Sequence, residues 1–271
     1  MTTDTPSRRL DLRAYLSCIG YAGDLRPTHA VLEAIHLAHT THIPFENLDI
    51  LLGRPILLDL DSLQTKLVAA KRGGYCFEQN LLLAAALEEL GFSVQRLAAR
   101  VRYRTQQILP RTHMLLLVNV DGASWLADVG FGAEGLLMPV PFGSDHVARQ
   151  FAWTYRIVEE PGQWVLQSRR GQAWTDLYAF TLEPQQPVDY EMANHYVSTH
   201  PNSRFVQTLT AQRLTPETRY VLRNRELTVD RGQATTTGML GDNDELLAVL
   251  AETFGLDFPP KTRFHYRDTM L

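Results

Sequence analysis

Arg72-Gly73-Gly74-Tyr75-Cys76-Phe77-Glu78-Gln79-Asn80 is the stretch from which the rest of the chain can be read. Two glycines permit a close approach of the backbone, an aromatic residue follows, and a cysteine stands where a helix begins. From Asn80 the run Leu81-Leu82-Leu83-Ala84-Ala85-Ala86-Leu87-Glu88-Glu89-Leu90 is rich in strong helix formers, and Gly91 closes it as a C′ glycine. Cys76 therefore falls in or just before the first turn of an apolar helix. Unpaired backbone N–H groups and the positive end of a helix dipole favour a thiolate there, whereas apolar burial works against one. The plainer reading of a lone cysteine is a small, inert core residue. A nucleophile needs a base, which the rest of the chain must supply.

Upstream of that stretch the pattern is helical. Leu12, Tyr15, Leu16 and Ile19 recur at helical spacing before Gly20, and Pro27 and Thr28 open a second helix carrying Val31, Leu32, Ile35 and Ala38 on one face. His36, His39 and His42 on that helix have no carboxylate or cysteine at matching spacing, so they read as solvated or hydrogen-bonded surface histidines rather than metal ligands. Glu46 and Asn47 interrupt the apolar run Ile43-Pro44-Phe45…Leu48. A carboxylate there needs a partner if it is buried, and Arg72 is the candidate; otherwise the segment is an exposed turn. Asp61 with Gln64 resembles a capping box ahead of Leu63, Leu67 and Val68. Residues 1–90 thus read as a helical bundle carrying the cysteine.

Downstream, from Ser93, the period drops towards two: Leu97, Ala99, Val101 and Tyr103 alternate with Ala98, Arg100 and Arg102. Thr112 to Val120 and Ala123 to Val129 flank Asp121-Gly122, a strong hairpin signal. With a two-residue loop Val120 faces Ala123, which places Asp128 two residues from direct opposition to His113 and on the same face. Taken singly, His113 is a satisfied strand histidine and Asp128 a strand-end carboxylate. Together on one face, in a chain with a helix-start cysteine, they form a candidate Cys/His/Asp constellation. Pro161-Gly162 marks a second hairpin between Trp153–Val158 and Gln163–Ser168. Phe205 to Thr210 and Tyr220 to Leu222 read as strands, and Asp242 as the cap of a last helix running to Phe254.

Composition narrows the function classes. The chain has 271 residues, 45% hydrophobic and 21% charged, and a net charge of −4, which gives no electrostatic reason to expect nucleic acid or an anionic membrane. Cys18 and Cys76 are too few for a disulfide framework and form no close metal-ligand pair, so no metal is expected. The polar start, Met1 to Arg9, lacks the apolar core of a signal peptide, and no apolar run reaches membrane-spanning length. A reducing, cytoplasmic setting fits and would keep a functional thiol free.

The stretch from Arg72 to Asn80 resembles the signature of the arylamine N-acetyltransferases. Ile43-Pro44-Phe45-Glu46-Asn47-Leu48-Asp49, Asp128-Val129-Gly130-Phe131-Gly132 and His200-Pro201-Asn202-Ser203-Arg204-Phe205 are similar to three further marks of that family. The order Cys, His, Asp and the gaps of 37 residues (76 to 113) and 15 residues (113 to 128) match too. The long insertion of the vertebrate enzymes is missing, so the resemblance is to the bacterial type.

The resemblance implies an α+β, multidomain fold: a helical bundle (1–90), a β-barrel bearing the histidine and aspartate (91–200) and an α/β lid (201–271), with a cysteine-protease-like site. It implies Cys76 as acetyl acceptor, His113 as its base and Asp128 as the group orienting the imidazole. Acetyl-coenzyme A would be the co-substrate and aromatic amines or hydrazines the acceptors, through ping-pong kinetics. Phe45, Phe131 and Phe205 would line the acceptor pocket; without the resemblance they read as ordinary core packing. Thr112, Gly130 and Gly132 would form the coenzyme A approach, and Glu46 with Arg72 would support the site. A related amide synthase, or a thiol hydrolase or transglutaminase-like enzyme, uses the same triad, and a non-catalytic binding module would leave Cys76 slow towards alkylating agents.

Overall fold

The computed structural model describes residues 9–144 and 146–266. The polar stretch read at the start of the chain lies outside them as far as Arg8. Helix α1 (Leu12–Cys18) starts at Asp11, whose carboxylate accepts the Ala14 N–H, and α2 (His29–His42) starts at Thr28. Strand β1 (Phe45–Glu46) and the single turn α3 (Leu48–Leu51) follow. The expected cap at Asp61 is displaced. Asp59 is extended and accepts the Ser62 N–H, so α4 (Leu60–Leu63) begins two residues earlier and leaves Asp61 inside its first turn. Gln64, read as the partner in that cap, instead accepts the Asp11 N–H at 2.6 Å, while Gln64–Ala69 widens into a π-helical turn. Helix α5 (Cys76–Glu89) begins at the cysteine.

Eight strands among the described residues form a barrel-like antiparallel sheet. They are β2 (Ser93–Val101), β3 (Arg111–Val120), β4 (Ala123–Ala127), β5 (Val140–Pro141), β6 (Val147–Gln150), β7 (Trp153–Glu160), β8 (Gln163–Arg170) and β9 (Ala173–Phe180), in the order β5-β4-β3-β2-β9-β8-β7-β6. The β3–β4 turn has both Asp121 (φ 53°) and Gly122 (φ 76°) left-handed, as a two-residue hairpin requires, and Val120 faces Ala123. The Asp121 carboxylate also accepts the His29 N–H at 2.8 Å, tying the turn to the start of α2.

Strand β3 buries both faces. Leu115 and Leu117 join Leu97, Tyr155, Leu166 and Phe180 in the sheet's own core, while Met114, Leu116, Val118 and Val120 pack against Leu32, Ile35, Phe77 and Leu83 of the helices. Near-continuous apolar sequence from Met114 to Val118 is the signature of that double burial.

After β9 the chain forms α6 (Pro187–Thr199), whose Tyr190 and Val197 return to the helical core, and α7 (Arg204–Gln207). The strand read from Phe205 is therefore corrected: Ser203 Oγ accepts the Phe205 N–H and starts a helical turn, and pairing begins only at Thr210. A second sheet, ordered β1-β10-β11-β12-β13, uses β10 (Thr210–Leu214), β11 (Arg219–Arg223), β12 (Glu226–Asp230) and β13 (Thr235–Met239). Its edge is β1, with Phe45 opposite Gln212 and Glu46 opposite Ala211. Helix α8 (Asn243–Phe254), capped by Asp242 and ended by left-handed Gly255, packs Leu246, Leu250 and Phe254 on Leu209, Ala211 and Leu222. The molecule is thus α+β: a helical bundle, a barrel-like sheet and an α/β region, joined through shared cores.

Candidate active site

Three elements meet at Cys76. Its place at the first position of α5 follows from Glu78, which accepts the Tyr75 N–H at 3.0 Å and closes the helix start from within. The thiol is buried, 4% exposed, and its sulfur donates to the Thr112 carbonyl at 3.6 Å. His113, next along β3, is 3% exposed, and its Nε2 lies 2.7 Å from Asp128 Oδ2. With Nε2 committed to the carboxylate, Nδ1 is the nitrogen left for the thiol. The hairpin parity read from Asp121-Gly122 is what brings the two side chains to one face.

Asp128 sits in a dense set of donors. Its Oδ1 accepts from Asn80 Nδ2 and from the Gly130 N–H, each at 2.9 Å, and its own N–H donates to His36 Nε2 at 3.1 Å. Burial raises a carboxylate's pKa, but the His113 charge and these hydrogen bonds outweigh it and hold Asp128 below its ordinary value. Burial likewise disfavours a charged imidazole, yet the Asp128 charge, followed by bonds to Asp128 and Cys76, raises the His113 pKa above the usual imidazole range. Phe131 and Tyr178 pack their rings on His113 at 5.1 and 4.7 Å between centroids. The arrangement can hold a proton on the imidazole beside a thiol, the condition for a thiolate nucleophile.

Glycine is required where the elements touch. A Cβ on Gly130 would stand 2.6 Å from Cys76 Cα, and one on Gly73 would strike the Pro44 carbonyl and Glu46. Behind the Gly-Gly turn, Arg72 Nη2 meets Glu46 Oε1 at 2.7 Å, and Glu46 is fully buried. The pair belongs to a wider network, because Arg72 also reaches Asp49 (3.3 Å) and Lys66 bridges Asp49 (3.0 Å) and Glu78 (2.7 Å). Glu46 Oε2 accepts the Leu48 N–H at 2.6 Å as well, so the carboxylate is satisfied on both oxygens.

A cavity of about 550 Å³ opens on this site. Cys76, His113, Thr112 and Gly130 line it together with Phe45, Phe131 and Phe205. Gly132 does not line it. With φ 84° it packs against the Gln212 side chain, which accepts the Ala133 N–H at 2.5 Å and fixes the loop carrying Phe131. Phe205 stacks obliquely on Phe45 (5.9 Å) and edge-on to Tyr75 (5.6 Å). Among the described residues no three His, Cys, Asp or Glu side chains are grouped to hold a metal ion, and no helix is long and apolar enough to cross a membrane.

Two of the three α2 histidines are not surface groups. His36 and His39 are fully buried. His36 Nδ1 donates to the Leu137 carbonyl at 3.0 Å while Nε2 receives the Asp128 N–H, so the ring is neutral; burial lowers its pKa to about 4. His39 lies between Tyr15 Oη (2.8 Å) and Gln79 Oε1 (2.7 Å), and burial lowers it to about 3. Gln79 Nε2 in turn donates to the Pro44 and Gly74 carbonyls, and Asn80 Oδ1 takes the Val129 N–H. The sequence reading gave none of these four a role at the site. The available signal was a Gln-Asn pair opening an otherwise apolar helix.

Comparison with known proteins extends the picture. A family model described as N-acetyltransferase matches residues 28–263. The arylamine N-acetyltransferase of Mycolicibacterium smegmatis is 41% identical over 254 residues, which cover 92% of each chain. The solved structure of the Salmonella typhimurium arylamine N-acetyltransferase superposes with a TM-score of 0.88 at 36% identity, covering 95% of this chain and 96% of that one. The Mycobacterium marinum arylamine N-acetyltransferase, solved in complex with CoA, superposes with a TM-score of 0.87 at 36% identity, covering 90% and 92%.

Proposed function

The chain belongs to the arylamine N-acetyltransferase family, and on that premise we propose that it moves an acetyl group from acetyl-coenzyme A to aromatic amines and hydrazines through an acetyl-cysteine at Cys76. The observation that carries this reading is the His113 imidazole, held through Nε2 by Asp128 on the wall of the cavity that also contains the Cys76 thiol. His113 takes the thiol proton, and its positive charge, balanced by Asp128, stabilises the thiolate. Sulfur attacks the thioester carbonyl. The first-turn N–H groups of α5, which have no intrahelical acceptor, stabilise the oxyanion, and coenzyme A leaves with the proton from His113. The amine then attacks acetyl-Cys76, His113 removes its extra proton, and the thiolate is released for the next cycle. Phe45, Phe131 and Phe205 offer flat apolar contact to the acceptor ring, and Thr112 and Gly130 leave an approach for the pantetheine arm. Because the two substrates react in turn at one sulfur, the kinetics are ping-pong.

Incubation with acetyl-coenzyme A and no acceptor should leave one acetyl group on the protein by intact mass, and none on Cys76→Ser. An equal mass shift in both would sink the assignment.

A further inference from the structure

Acetyl transfer uses the sulfur of Cys76 and leaves the ion pair behind it without a part in the reaction. The peptide joining Gly74 to Tyr75, immediately before the nucleophile, is fixed at both ends. Its carbonyl accepts the Glu46 N–H at 3.1 Å and Gln79 Nε2 at 3.2 Å. Its N–H donates to Glu78 Oε2 at 3.0 Å, and the carboxylate is folded so closely over the turn that a Cβ on Gly74 would stand 2.7 Å from that oxygen. Glu78 Oε1 meets Lys66 Nζ at 2.7 Å, with the Lys66 side chain 17% and the Glu78 side chain 2% exposed. A buried ion pair is no more stabilising than a neutral pair of the same shape, and a neutral amide would accept the Tyr75 N–H equally well. A carboxylate at this place instead makes the start of α5 depend on charge.

We propose that Lys66 is a positioning residue for the reaction at Cys76: it keeps Glu78 ionised, and the ionised carboxylate holds the Gly74–Tyr75 peptide, and with it the start of α5, in the reactive geometry. This deepens the acetyl-transfer reading and rests on it. Among the described residues Lys66 is the cation that touches Glu78, while Arg72 turns to Glu46 and Asp49. Without Lys66, Asp49 would keep Arg54 and Arg72 at 3.3 Å each, and Glu78 would keep no opposite charge. Burial pushes the Glu78 carboxyl up to about 7 and the Glu46 charge adds to this, against the charge and hydrogen bond of Lys66 and the Tyr75 N–H, which hold it down. Burial also works against a charged Lys66, but Glu46, Glu78 and Asp49 together outweigh it and raise its pKa, so the ammonium stays charged while Glu78 titrates. Removing Lys66 therefore raises Glu78 further, and at neutral pH the carboxyl takes up a proton. It then loses both the negative charge favoured at a helix start and its strength as an acceptor for the Tyr75 N–H.

The test is the pH profile, between about pH 6 and 9.5, of single-turnover acetylation of Cys76 by acetyl-coenzyme A, with iodoacetamide labelling of the same thiol in parallel. At about pH 7.5 Lys66→Met should be acetylated about tenfold more slowly than wild type and should recover as pH rises, since loss of an adjacent opposite charge moves a carboxyl pKa up by about 1–3. Adding Glu78→Gln, whose amide oxygen accepts the Tyr75 N–H without titrating, should restore most of the rate and remove the dependence on pH that Lys66→Met introduces. A wild-type profile in Lys66→Met, a loss equal at every pH, or a double variant no faster than Lys66→Met would overturn the proposal and leave Lys66 a merely structural residue. Where Lys66→Met does not fold, the double variant decides against wild type: its acid limb should lie at lower pH, and coincident limbs would overturn the proposal. If acetyl-coenzyme A labels Cys76 in none of the proteins while the iodoacetamide profiles move in the order described, the transfer reading falls and the positioning role of Lys66 stands.

Discussion

Asp128 is an acceptor for three donors at once: His113 Nε2, Asn80 Nδ2 and the Gly130 N–H. Asp128→Asn turns one of its oxygens into a donor that must face another donor, whichever way the amide lies. The imidazole then loses both its orientation and the charge that keeps it protonated, so iodoacetamide labelling of Cys76 should move to higher pH. Acetyl transfer should fall steeply, an equivalent change in a serine protease costing about 10⁴-fold. His113→Ala should move the labelling profile in the same way, and the double variant should be little worse than either single one, since the groups act as a unit. Additive losses across the four pH profiles would make Asp128 purely structural. At this scale the sequence was legible where parity decides: an Asp-Gly turn and a period of two put His113 and Asp128 on one face without any knowledge of the fold. His36 and His39 were not legible. Helical spacing says which residues share a face, not what the face meets, and the Leu137 carbonyl that fixes His36 lies 101 residues away.

The start of α5 packs closely against the loop after β4 at Gly130, and the Gly-Gly turn before it packs closely against the β1 segment. Gly130→Ala would place a methyl group 2.6 Å from Cys76 Cα. Overpacking of this kind costs about 1–3 kcal/mol, and the helix start must shift to relieve it. The expected result is a lower melting temperature together with slowed Cys76 alkylation; a normal alkylation rate would show that the loop, and not α5, gives way. On the other side, Glu46→Gln leaves Arg72 without its closest partner. Loss of one member of a buried pair costs about 3–5 kcal/mol, to be read from urea unfolding, and wild-type stability in this variant would mean that Asp49 alone suffices for Arg72. Elements with a strong period, α2, α5, the two hairpins and α8, were readable in advance. The segment after Ser203 was not, because Val206 and Thr208 favour strand locally. Asn47 fixes it as a helical turn instead by donating to the Phe205 and Thr208 carbonyls from 158 and 161 residues away.

Across the whole molecule, His36 and His39 set an acid limit. Their folded pKa values, about 4 and about 3, lie below the ordinary 6.5, so between those values the unfolded chain binds protons that the folded one refuses. Their contribution is complete above about pH 6.5 and drains as pH falls towards 4, by about 2 kcal/mol for each histidine between pH 6.5 and 5. Urea unfolding at pH 7 and pH 5 should show this loss, and His39→Gln should show a shallower one; parallel losses would place it in other groups. The pairing of β1 with β10 has a further consequence, for the order in which the protein becomes active during its own synthesis. Phe45 and Glu46 wait for Gln212 and Ala211, and such long-range closure comes late. A nascent chain that has emerged only as far as α7 already carries Cys76, His113 and Asp128, yet one edge of the cavity wall at Phe45 is still unpaired. The wall of the cavity around Cys76 is therefore completed only when the final quarter of the polypeptide arrives, so an unfinished chain lacks the pocket that encloses the thiol.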